Sequence, residues 1–171
     1  MVIRIYKNKK EKKPAKNTRF QKILQKIKEE KTMNEYFIVK RLQRVSKFIG
    51  CFPSDSLPIC DSYPCFYVIN LDSSEKPGSH WIAVCENEKT LEVYDSLRLK
   101  SYPENIERFL SRKKNIRIRK VQSNTSYFCG LFACYFILMR QCHNFSDTLL
   151  PFSRNLKIND DILCVKLESL W

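Results

Sequence analysis

The chain has 171 residues, 43% of them hydrophobic and 12% aromatic, which suits one packed domain and excludes a disordered or low-complexity protein. The net charge of +13 is unevenly placed: residues 1–50 hold 16 of the 31 Lys/Arg but only 4 of the 18 Asp/Glu, which leaves 15 basic against 14 acidic residues elsewhere. Eight cysteines in a chain this rich in apolar residues, with no CxxC pair and two histidines, point to mostly free thiols rather than a disulfide scaffold or a four-ligand zinc site. No signal-like N-terminal run or membrane-length apolar segment is seen, so an intracellular, non-membrane protein is expected.

Residues 1–32 carry 12 basic and 3 acidic residues and only a weak helical pattern at Phe20, Ile23, Leu24 and Ile27. They are expected to form a flexible basic arm, with the folded domain spanning 33–171. Tyr36, Ile38, Val39, Leu42, Val45 and Phe48 recur at helical spacing, with Gly50 placed to cap the helix. After a loop over residues 53–64, three β-type runs follow at 65–71, 80–85 and 90–95, separated by turn-rich segments, as in an antiparallel meander. A short helix is expected from Pro103 to Leu110. Ile116, Ile118 and Val121 then alternate with charged residues, as in a half-exposed strand. The run from Gly130 to Met139 is apolar on all sides and predicts a helix in the core. The element order gives an α+β fold: a small mixed or antiparallel sheet packed against a buried central helix that carries Cys129 at its start.

That position carries chemistry. A cysteine nucleophile acts as its thiolate, and the unpaired N–H groups at a helix start favour negative charge. Gly130 beside it would let a substrate backbone approach, and the Cys129 N–H could join an oxyanion hole. The plain alternative is a core cysteine at the end of a buried helix. Of the two histidines, His80 opens an apolar strand and suits a base at a cleft, whereas His143 follows the buried helix and reads as a surface residue. Asp95 closes the strand paired with the one that His80 opens. With a turn near residues 86–89, His80 and Asp95 are expected opposite one another, the carboxylate orienting the imidazole; Asp95 could equally just start a turn with Ser96. Gln122, seven residues before Cys129, offers a side-chain amide to an oxyanion.

In this order and spacing, His80-Trp81, Asp95, Gln122 and Cys129-Gly130-Leu131-Phe132 resemble adenain, the adenovirus maturation protease family, and its homologues in Maverick/Polinton elements. The resemblance covers about residues 35–145 and includes Phe48-Ile49-Gly50. It implies a monomeric cysteine endopeptidase that cleaves structural precursor proteins at Gly-containing sites during particle maturation, in the host nucleus or the virion. It requires no cofactor, and it suggests activation by DNA and by a short peptide. Ubiquitin-like-protein proteases share the order of groups but usually have Asp before the Cys-Gly pair, where this chain has Phe128, so removal of a ubiquitin-like modifier is the alternative enzymatic reading. A non-enzymatic DNA-binding protein is the second alternative. In either reading, the arm and the cluster Arg112, Lys113, Lys114, Arg117, Arg119 and Lys120 are the segments expected to meet DNA phosphates.

Overall fold

The computed structural model describes residues 21, 22, 24, 25 and 33–170. Most of the basic arm therefore lies outside the described residues. Of the part that is described, Gln21, Lys22, Leu24 and Gln25 are helical and Leu24 joins the core at 6% exposure.

Helix α1 (Glu35–Leu42) starts at Asn34, whose Oδ1 accepts the Phe37 N–H at 3.0 Å. Glu35 in its first turn and Lys40 and Arg41 in its last complement the helix dipole, and Ile38 and Leu42 bury its inner face. The helix stops well short of Gly50. Residues Phe48–Phe52 instead form strand β1, paired parallel to β2 (Cys65–Asn70). Gly50 lies within β1 at φ +134°, where the register shifts between Phe48 and Gly50, so its conformational freedom serves a bulge rather than a helix cap.

Strands β2, β3 (Trp81–Glu86) and β4 (Thr90–Tyr94) form the expected antiparallel meander, and β5 (Lys114–Arg117) adds to β4 in parallel, giving a mixed sheet in the order β1-β2-β3-β4-β5. Strand β5 is shorter than the alternation up to Val121 implies. Ile118 and Val121 are buried, but the Val121 N–H bonds the Ser96 carbonyl beyond the end of β4. The β3–β4 register pairs Ala83 with Tyr94 and Val84 with Val93, two residues away from the register that would set His80 opposite Asp95. A shift of two leaves every side chain on its expected face, because strand side chains alternate with period two.

Every residue of β2 and β3 is buried because the sheet is covered on both sides. Phe66, Val68, Trp81, Ala83 and Cys85 face α3 (Cys129–Arg140), while Tyr67, Ile69, Ile82 and Val84 pack with Ile106 and Leu110 of α2 (Glu104–Ser111). Helix α3 is buried from Cys129 to Ile137, as its uniformly apolar sequence demands, between the sheet, α1 and α4. Helix α4 (Asn159–Leu170), in a region without an assignment from sequence, inserts Leu163 and Leu167 into the same core. Asn159 at its start is fully buried and donates from Nδ2 to the carbonyls of Val121 and Ser153 at 2.8 and 3.0 Å. Cys60 and Cys65 form a disulfide, and the other six cysteines form none. Among the described residues no helix is long and apolar enough to cross a membrane.

Candidate active site

Three element ends meet at one end of the sheet. His80 stands immediately before β3, Asp95 immediately after β4, and Cys129 is the first residue of α3. Strand pairing alone puts His80 and Asp95 on a diagonal, and the imidazole spans it: His80 Nε2 lies 2.8 Å from Asp95 Oδ1, with both residues at most 5% exposed.

Asp95 is held from every side. Oδ1 also accepts the Leu97 N–H at 3.0 Å, and Oδ2 accepts the Leu99 N–H at 2.7 Å and the Tyr102 hydroxyl at 2.9 Å. Burial by itself would raise the Asp95 pKa, but the His80 contact and these donors outweigh it and hold the carboxyl below its ordinary value. Burial likewise pulls the His80 pKa down, and the hydrogen bond to Asp95 together with the proximity of Cys129 overrides it, leaving the imidazole at about 9. With Nε2 directed to the carboxylate, Nδ1 is the ring nitrogen left to exchange a proton with the thiol. Nδ1 is buried and makes no hydrogen bond within the protein, so it is open to a proton from the neighbouring thiol.

Gln122 is 1% exposed and lies five residues past β5, in the loop that leads to α3. Its Nε2 donates to the Ser126 carbonyl at 2.9 Å, its Oε1 accepts the Ser96 hydroxyl at 2.5 Å, and its backbone N–H bonds the Ser96 carbonyl at 2.9 Å. An amide nitrogen has two hydrogens, so one remains after the bond to Ser126. The Cys129 N–H, at the first position of α3, has no carbonyl one turn earlier in the helix to bond. Gln122, Cys129 and His80 line one cleft of about 60 Å³, walled by Met33, Trp81, Leu97 and Tyr127. A larger hollow of about 490 Å³ opens between Lys40, Arg44, Leu138 and Leu170, but no cysteine, histidine or carboxylate lines it.

The structure gives Gly130 a packing role beside the expected substrate approach. A Cβ there would lie 2.4 Å from Met33 Sδ and 3.3 Å from Ile38 Cδ1, so the missing side chain makes room for the chain entering α1. Met33 is fixed in turn by its carbonyl, which accepts the Trp81 Nε1–H at 2.9 Å. Tyr102, Ser96 and Met33 carry no signal in the sequence, because each touches the site from a loop or turn whose path only the tertiary fold sets. His143 is exposed, as expected.

The basic cluster expected to meet phosphates is largely engaged within the protein. Arg112 pairs with Glu86 and covers the Phe109 ring, and Lys113 pairs with Glu86 at 2.8 Å. Arg117 reaches Glu107 at 3.4 Å and lies over the Tyr102 ring. Arg119 donates to the Phe152 and Ser153 carbonyls and Lys120 to Asn124. Lys114 is exposed on β5. Glu86 itself is 1% exposed and also accepts the Tyr67 hydroxyl at 2.7 Å.

By sequence the chain matches no family profile and no curated protein. In fold it is similar to the ASFV pS273R protease. One crystal structure of that protein superposes with a TM-score of 0.52 at 16% identity over 77% of this chain and 66% of the other; its Se-Met form gives 0.51, with the same identity and coverage. The chain thus spans just under two thirds of that protease. The SUMO protease Ulp1, with its catalytic cysteine oxidized to a sulfinic acid, superposes at a TM-score of 0.38 and 18% identity over 81% of this chain and 68% of the other. The pS273R superposition bears out the α+β fold with a mixed sheet on a buried helix.

Proposed function

We propose that this chain is a cysteine endopeptidase with Cys129 as nucleophile, His80 as base, Asp95 as the group that orients it, and Gln122 as an oxyanion donor. The observation that carries the reading is the imidazole held at 2.8 Å from a buried carboxylate beside a cysteine that opens a helix. His80, charged below about pH 9, holds on Nδ1 the proton that Cys129 gives up, and Sγ attacks the scissile carbonyl carbon. The free Nε2–H of Gln122 and the Cys129 N–H receive the charge that develops on the carbonyl oxygen. The imidazolium then gives its proton to the departing amine, leaving a thioester. Water, deprotonated by the same imidazole, hydrolyses that thioester and returns the thiol.

Its substrates are structural precursor proteins cut at Gly-containing sites during particle maturation. The narrow cleft supports a preference for small residues, since Met33, Trp81 and Leu97 leave little room beside Cys129. The basic arm is the segment through which DNA would stimulate cleavage, because the 112–120 cluster spends most of its charge internally.

Hydrolysis of fluorogenic Gly-containing peptides by the wild type and by Cys129→Ala, with and without DNA, tests the reading. Cleavage that disappears in the variant supports it. Equal activity in both proteins, or no labelling of Cys129 by a thiolate-selective probe, sinks it. Faster cleavage of a modifier-tagged protein than of any such peptide would move the substrate class to ubiquitin-like conjugates.

A further inference from the structure

We propose that Ser96 is a positioning residue for the oxyanion hole: its hydroxyl fixes the Gln122 side-chain amide so that one Nε2–H points into the Cys129 cleft. The inference rests on the cysteine peptidase reading and goes beyond the four groups assigned there.

The two ends of an amide side chain are nearly alike in shape, and only their partners decide which way it lies. At Gln122 the partners leave one solution. The Ser126 carbonyl can only accept, so the end facing it at 2.9 Å must be the NH₂ group. Oε1 then faces Ser96, whose hydroxyl must donate, at 2.5 Å. Ser96 is fully buried and Gln122 almost so, which keeps bulk solvent from replacing a lost partner. Without the Ser96 hydroxyl, Oε1 would be a buried acceptor without a donor, and the amide would have reason to rotate. Rotation takes the second Nε2–H away from the cleft.

The backbone reinforces this arrangement. The Ser96 carbonyl accepts both the Val121 and the Gln122 N–H at 2.9 Å, so residue 96 holds Gln122 by its main chain as well as by its hydroxyl. Ser96 also directly follows Asp95. One dipeptide at the end of β4 therefore sets both halves of the machinery, Asp95 the base and Ser96 the oxyanion donor.

The experiment is a double-mutant cycle with Ser96→Ala and Gln122→Leu, read by kcat and KM on the same peptide, with thermal unfolding to confirm that each variant is folded. If Ser96 acts through Gln122, Ser96→Ala lowers kcat by about tenfold with KM nearly unchanged, the size expected for one impaired transition-state hydrogen bond. In the Gln122→Leu background the same change then costs less than about twofold, since the interaction it served is gone. Equal losses in both backgrounds, or no loss in the first, overturn the proposal. A second measurement needs no turnover: the Gln122 side-chain NH₂ resonances, assigned through Gln122→Leu, are expected to be protected from hydrogen exchange in the wild type and to exchange faster in Ser96→Ala. Unchanged protection overturns the proposal even in a protein that cleaves nothing, whereas a changed amide in an inactive wild type leaves the positioning intact and removes the peptidase reading.

Discussion

Two buried carboxylates at opposite ends of β3 and β4 are built from similar parts and do different things. Glu86 and Asp95 are 1% and 2% exposed, and each accepts a tyrosine hydroxyl, from Tyr67 and Tyr102 respectively. Glu86 is neutralised by two permanent cations, Arg112 and Lys113. Asp95 faces an imidazole, a group that can gain or lose its charge. A buried acid paired with fixed cations is a tie between elements. The same acid paired with a titratable ring keeps a proton carrier in place, and the partner rather than the burial makes the difference.

The largest expected break is Asp95→Asn, which turns one acceptor into a donor and forces the imidazole into the wrong tautomer. We expect kcat to fall about 10³-fold while the fold persists, as measured by peptide hydrolysis alongside circular dichroism. Glu86→Leu should reverse that pattern. It strands Arg112 and Lys113 and leaves Tyr67 without its acceptor, at a cost of about 3 kcal/mol in urea unfolding, the low end for a broken buried pair because both cations keep some exposure. Its kcat per folded molecule should match the wild type.

The pH dependence sharpens the comparison further. The His80 pKa is raised from 6.5 to about 9 on folding, so its charged form adds stability that is fully present below pH 6.5 and is lost as pH rises through about 9. Thermal unfolding across that window should show a loss on the order of 2 kcal/mol that is much flatter in Asp95→Asn, which has no carboxylate to hold the imidazolium. The smallest effect separates the two phenols. Tyr102→Phe and Tyr67→Phe should each cost about 1 kcal/mol of stability, and only Tyr102→Phe should lower kcat, by about fivefold.

Much of the site was legible because its members fall at element ends, where local patterns are strongest. Alternating β-type runs put His80 and Asp95 beside the same hairpin, and the all-apolar run after Cys129 placed that residue at the start of a core helix. Elements fixed by long-range pairing were less legible. Phe48 fits the helical spacing of Ile38 and Leu42, and only the parallel ladder with β2 shows that it begins a strand. The exact hairpin register escaped for a related reason, since a shift of two residues leaves the alternation of β3 and β4 unchanged. Helix α4 was missed because Leu163 and Leu167 declare themselves only once α3 is present to receive them. Ser96 and Tyr102 reach their partners across loops, which no periodicity describes.

Gly130 gives position-by-position mutational tolerance a particular shape. A Cβ there would force the Met33 sulfur aside, so part of the demand for glycine comes from packing and applies whether or not the protein cuts anything. In a saturation library sorted for soluble, folded protein, position 130 should favour glycine, with alanine admitted only where the Met33 side chain swings aside, while its neighbour Cys129 accepts alanine or serine freely. Sorted for cleavage instead, the library should hold both positions fixed. Adjacent invariant letters in such a library would then record two separate demands, one made by the incoming chain at Met33 and the other by the reaction.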